Sequence, residues 1–282
     1  MEQGFVKVAS ATPRIRVADP VYNAQVICEQ AKEAAEHGAK IVVFPELCIT
    51  GYTCNDLFLQ ELLLEKAKEA LLTIAEETGQ LETLFLVGLP VDKDGRLYNV
   101  AAVLYRGRIL GMIPKKNIPM YAEFYEGRHF TPGEETVTEY RLGKQVIPFG
   151  SNLLFRCEEL PELILGCELC EDLWVAEPPS TSHALMGATV IANLSASNET
   201  VSKDDYRTLL IKASSARLLC GYIYTSAGEG ESTQDLVFGG HDLIAENGTL
   251  LVQSARFTTG ILYTDLDAVS YTHLRAHETG AY

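Results

Sequence analysis

The stretch GFVKVASATPRIRVADPVYNAQVICEQAKEAAEHGAKIVVF, residues 4–44, holds one complete strand-helix-strand unit. Residues 4–11 have the β-branched character of a strand. Residues 20–37 place Val26, Ile27, Ala31, Ala34 and Ala35 at helical spacing, and Gly38 supplies the stop. The short apolar run KIVVF, residues 40–44, then reads as a second, buried strand. Such a unit predicts an α/β fold in which helices cover strands.

The scheme continues outward. Residues 57–78, rich in Leu, Glu, Lys and Ala, read as a second long helix, and residues 84–89 as a buried strand before the turn Asp92-Lys93-Asp94-Gly95. Residues 99–105 and 108–113 flank Arg106-Gly107 as a hairpin, just ahead of PKKNIPMYAEF. The second half repeats the pattern with strand 163–166, helix 180–186, strand 189–193, helix 204–220 and strand 222–227. Hairpin strands 242–245 and 249–253, joined by Glu246-Asn247-Gly248, close the domain. Two such halves predict two sheets facing each other, and the lack of a Pro/Ser/Gly-rich linker predicts one domain, residues 1–268. The remainder, 269–282, is expected to be a non-native tail: SYTHLRAHETGAY has no periodicity in common with the rest and resembles a translated sequencing adapter. His273 and His277 therefore receive no role.

The chain has 282 residues, 47% hydrophobic and 22% charged, enough for a large core and unlike a disordered protein. A formal charge of -15 gives no electrostatic footprint for phosphate backbones or anionic lipid, which argues against nucleic-acid and membrane partners. The start, MEQGFVKVASATPRIRV, lacks a signal peptide's apolar segment, and no apolar run approaches the roughly 18 residues of a membrane span. A cytoplasmic protein is expected. Seven cysteines, an odd number, point to reduced thiols and not to a disulfide framework.

Three residue types at strand ends carry chemistry. Cys170 ends the apolar run LILGCELC, at a strand-to-loop corner where backbone N–H groups are free to hold an oxyanion. A free cysteine is more often a small buried hydrophobe. Glu46 follows the buried strand IVVF in FPELCITGY; half-desolvation there would raise its pKa into the range of a general base, and the plainer alternative is a carboxylate satisfying loop N–H groups. Lys115 and Lys116 follow a strand, where two solvated lysines are the ordinary case; a buried ammonium would instead stabilise a thiolate and an oxyanion. Cys167 and Cys170 also fit a C-x-x-C spacing, but no second ligand pair supports zinc, and residues three apart on a strand point to opposite faces. No metal site is expected.

The segments FPELCITGY, PKKNIPMYAEF with EGRHF, and GCELCEDLW resemble, in this order, the Glu, Lys and Cys motifs of the nitrilase superfamily of carbon-nitrogen hydrolases. More narrowly, GYTCNDLF, CEDLWVAEPPS, ANLSASNE and SAGEGESTQDLVFGGHDLIAENG resemble the glutaminase domains of glutamine-dependent NAD synthetases, and the likeness runs from about residue 5 to 267. The resemblance implies an α/β fold of the nitrilase type, a four-layer α-β-β-α sandwich. It implies that Glu46 is the general base, Lys115 the cation beside the oxyanion and Cys170 the nucleophile. It further implies an auxiliary acid at Glu123, substrate contacts from Tyr121 and Ser197, and an oxyanion-holding backbone N–H at Glu171. Where the pattern leads one to expect an arginine six residues past Ser197, this chain has Lys203, a point charge that cannot grip a carboxylate in two places, although a local realignment would bring Arg207 to that role.

The implied reaction releases ammonia from L-glutamine through a thioester, with no cofactor. ATP, Mg and nicotinic acid adenine dinucleotide would belong to a C-terminal synthetase domain, the ammonia acceptor, which is absent from these 282 residues. AGEGES reads as a loop after strand 222–227 and not as a phosphate cradle. The superfamily also implies a homo-oligomer; residues 174–179 read as an exposed contact, although one tryptophan beside prolines is more often local packing. The alternatives are a free-standing amidase acting on another small amide with the same three residues, and a noncatalytic partner module.

Overall fold

The computed structural model describes residues 4–271. Along the chain run β1 (Phe5–Thr12), α1 (Pro20–Glu36), β2 (Ile41–Val43), α2 (Glu61–Glu77), β3 (Leu84–Lys93), β4 (Arg96–Tyr105), β5 (Arg108–Pro114), β6 (Thr138–Leu142), β7 (Gln145–Phe149) and β8 (Phe155–Arg156). They are followed by β9 (Ile164–Leu169), α3 (Pro179–Leu185), β10 (Val190–Ser195), α4 (Lys203–Leu218), β11 (Gly221–Ser226), β12 (Leu243–Glu246), β13 (Thr249–Gln253) and β14 (Gly260–Asp267). Helix α1 starts where it does because Asp19 accepts a hydrogen bond from the Tyr22 N–H and Pro20 occupies the first turn; it stops before Gly38, whose φ of 84° costs a glycine nothing.

Strands β14-β1-β2-β3-β4-β5-β7-β6 form one sheet and β13-β12-β11-β10-β9-β8 the other. Alternation along each strand sorts side chains into layers. In β1, Val6 and Val8 enter the core between the sheets with Ile41, Val43, Leu165, Ala192 and Ile223. Ala9 and Ala11 face outward, against Ile27, Ala31, Leu71 and Ile74 of α1 and α2. On the far side, Ile191, Tyr222 and Leu243 pack on Ile211 and Leu218 of α4. The result is the expected α-β-β-α sandwich.

Three local expectations need correction. The second helix begins at Glu61 and not at 57: residues Tyr52–Leu59 form a separate 3-10 segment, and extended Gln60 breaks the run. The hairpin β12-β13 does not end the domain, because β14 crosses to the first sheet and pairs antiparallel with the whole of β1. The β6-β7 hairpin was not anticipated. Ala268, the last residue of the expected domain, is fully buried, as is Tyr271 within the expected tail, and the Tyr271 hydroxyl hydrogen-bonds Glu246. The rest of that stretch, with His273 and His277, lies outside the described residues. Among the described residues no helix is long and apolar enough to cross a membrane.

Candidate active site

Strands β1, β2 and β3 are mutually parallel, as are β9, β10 and β11, so their C-terminal ends gather at one edge of the sandwich. Open parallel sheets place their sites at such ends. Glu46 lies three residues past β2, Lys115 directly after β5, Cys170 directly after β9 and Ser197 two residues past β10. The Glu46 loop is pinned on both sides. Its N–H donates to the Ser195 carbonyl of the second sheet at 3.3 Å, and it crosses β3 so closely that a Cβ on Gly88 would lie 2.2 Å from the Leu47 nitrogen.

Lys115 is fully buried and bridges two carboxylates: its Nζ donates to Glu46 Oε1 at 2.7 Å and to Glu126 Oε1 at 2.6 Å. Asn99 on β4 donates to Glu46 Oε1 at 2.7 Å and to Glu126 Oε2 at 3.3 Å. Its carbonyl receives the Lys115 N–H at 2.8 Å, and the Tyr52 hydroxyl donates to Glu126 at 2.9 Å. Glu46 Oε2 is buried with no hydrogen-bond partner. A buried carboxylate oxygen without a partner is costly, so one left in this position is available for a proton or a substrate group.

Two carboxylates and one ammonium share this buried space, and the charges decide who holds a proton. Burial raises Glu46 to about 7, against the lowering pull of Lys115 and with a further push from Glu126. Burial would lower Lys115, but Glu126 and Glu46 overturn that and hold it well above the usual lysine range. Burial also raises the Cys170 thiol, Glu46 adding to the rise and Lys115 opposing it, so at neutral pH the sulfur carries its proton. A base is therefore needed beside it. Cys170 opens the 3-10 turn Cys170–Leu173 at φ 41°, a left-handed conformation that is strained for a residue with a Cβ and recurrent at functional sites.

The remaining expected residues surround this centre. Tyr121 is exposed at the rim, its hydroxyl donating to both oxygens of Glu171 at 3.0 and 3.1 Å. Ser197 is buried, its Oγ accepting from Arg207 Nη2 at 3.3 Å. Lys203 hydrogen-bonds Asn198 and lies over the Trp174 ring at 5.0 Å and the Phe124 ring at 5.7 Å; burial lowers its pKa. Arg207 is wholly buried, bound to Glu199 Oε1 at 2.7 Å and the Asn198 carbonyl at 3.1 Å, so it braces Ser197 from behind.

Three points differ from the sequence reading. The acid that meets Lys115 is Glu126, the first residue of EGRHF; Glu123 instead accepts from Asn198. Glu46 is not half but fully desolvated. In keeping with the strand spacing, Cys167 does not share a site with Cys170, because it faces the apolar core between the sheets. Asn99 and Tyr52 were missed. Of the two lysines, Lys115 is the buried one, while Lys116 forms an ion pair with Glu135 nearer the surface.

The layering of the sandwich, with Glu46, Lys115 and Cys170 gathered at one edge, agrees with the resemblance of the sequence motifs to the carbon-nitrogen hydrolases. The chain belongs to that family, whose profile matches residues 7–276. It is 43% identical over 260 residues to the glutamine-dependent NAD(+) synthetase of Mycobacterium tuberculosis, a match covering 92% of this chain and 38% of that relative. The crystal structure of a glutamine-dependent NAD(+) synthetase from Cytophaga hutchinsonii superposes with a TM-score of 0.84 at 28% identity, covering 93% of this chain and 43% of the other. An amidase from Nesterenkonia sp. shares the fold, with a TM-score of 0.74 at 21% identity over 99% of this chain and 97% of its own. The chain thus spans about two fifths of the length of the synthetases it matches.

Proposed function

We propose that this carbon-nitrogen hydrolase is a glutamine amidohydrolase whose ammonia serves a synthetase partner that forms NAD. The observation that carries the reading is the buried Lys115 bridge, which holds Glu46 with one oxygen unpartnered at the sandwich edge where Cys170 leaves its strand. The likeness to synthetases named for glutamine supports the choice of substrate.

In this mechanism Glu46 takes the Cys170 proton as sulfur attacks the amide carbon. The oxyanion is held by the Lys115 ammonium and the Glu171 backbone N–H. Glu46 returns the proton to the departing nitrogen, ammonia leaves, and a thioester remains. Water, deprotonated by Glu46, attacks that thioester; the second oxyanion collapses to glutamate, and the thiol regains its proton. Tyr121, Ser197 and Lys203 bind the amino-acid end of the substrate, and Lys203 offers its carboxylate one cation where an arginine would offer a fork.

The test is steady-state release of ammonia from L-glutamine, from L-asparagine and from short aliphatic amides. Glutamine is expected to be hydrolysed with the highest kcat/KM, and Cys170→Ala to abolish the activity. Preference for an aliphatic amide would replace glutamine with the free-standing amidase reading.

A further inference from the structure

Asp172 lies two residues past Cys170, fully buried and without a cation beside it among the described ion pairs. Its oxygens are satisfied from two directions. Oδ2 accepts the Leu169 N–H at 3.0 Å, which closes the 3-10 turn on itself. Oδ1 accepts both the Asn117 backbone N–H and the Asn117 side-chain Nδ2, each at 2.8 Å, and Oδ2 also lies 3.5 Å from the Lys116 N–H. The first contact is local and would suit any acidic residue capping a short turn. The second reaches across 55 residues to the loop that begins at Lys115.

We infer that Asp172 is a positioning residue that fixes the distance between the nucleophile and the cation, by tying the turn of Cys170 to the loop of Lys115. The inference rests on the assignment of those two residues above. Three features of the site require such a tie. Cys170 sits at a strained positive φ, which persists only where surrounding structure over-determines it. Cys170 and Lys115 leave strands of different sheets, β9 and β5, so no ladder hydrogen bond sets their spacing. A carboxylate is the side chain that can accept all these donors at once, since it has only acceptors. Burial raises Asp172 to about 6, and its N–H and amide donors pull the other way.

The experiment compares Asp172→Asn and Asn117→Ala with the wild type in two assays: glutamine turnover, and alkylation of Cys170 by iodoacetamide followed by intact mass. An asparagine at 172 turns an amide NH2 toward one set of N–H donors, and Asn117→Ala removes the long-range side-chain bond while leaving the local cap intact. We expect kcat to fall on the order of 10- to 100-fold in Asp172→Asn, with KM within about twofold, because ångström-scale misplacement costs that much in the chemical step. Asn117→Ala should move kcat in the same direction, and alkylation at neutral pH should slow in both. If Asp172→Asn fails to fold, Asn117→Ala decides. Wild-type kcat and alkylation rate in folded Asn117→Ala, or a loss confined to KM, would overturn the inference. Absence of glutamine turnover in the wild type would defeat the substrate assignment alone, since alkylation still reads the tie.

Discussion

In the proposed mechanism Glu46 must be ionised to take a proton, so the pH at which it works follows from its burial. Its pKa is raised to about 7, and the base form lies above that value. Activity should therefore rise with pH through about 7, and kcat/KM profiles should show an acid limb there; a limb in the ordinary carboxylate range would contradict a fully desolvated base. Glu46→Gln keeps the shape and removes the base, and should cost roughly 100- to 10,000-fold in kcat. Glu126→Gln leaves Lys115 with one carboxylate in place of two, and should lower kcat with the protein still folded, as circular dichroism alongside kinetics would show. Cys170 and Glu46 were legible because apolar runs stop abruptly beside them. Glu126 was not: it and Glu123 are three residues apart, and only the short turn Glu126–Arg128 decides which carboxylate points inward. Lys115 was readable only through resemblance, because its burial depends on Asn99 and Glu126 arriving from elsewhere in the chain.

At the scale of elements, the Glu46 loop is positioned by what lies under it. A Cβ at 88 would come within 2.8 Å of backbone atoms of Pro45, Glu46 and Leu47, none of which has a flexible end to move aside. Gly88→Ala should lower unfolding free energy by about 1–3 kcal/mol in urea titrations and reduce kcat more than that loss explains. A variant with normal kcat would mean the loop is not held by this approach. The main strands and helices were legible from periodicity. The second helix was placed too early because Leu57 and Leu59 continue an apolar pattern that Gln60 interrupts by backbone conformation alone. Strand β14 went unread because it is an edge strand of mostly half-exposed residues, in which Leu266 alone is fully buried.

For the molecule as a whole, the two sheets bring residues 46, 115 and 170 to one edge, and the core between the sheets holds that edge in place. Ile223→Ala, in that core and away from the site, should cost about 2–5 kcal/mol of stability while leaving kcat per folded molecule nearly unchanged. Denaturant titration with parallel kinetics separates the two effects, and an equal fall in kcat would show that core packing and catalysis are not separable here. The layering was legible in the two repeated halves of the sequence. The crossing of β14 to the first sheet was not, since pairing between chain ends depends on closure of the whole domain. The central claim, a cysteine that attacks the side-chain amide of glutamine, is tested most directly by intact mass after brief exposure to 6-diazo-5-oxo-norleucine, a glutamine mimic that traps an attacking thiol. The account predicts one adduct in the wild type and in Cys167→Ala and none in Cys170→Ala; an adduct that survives Cys170→Ala, or none in the wild type, would contradict it.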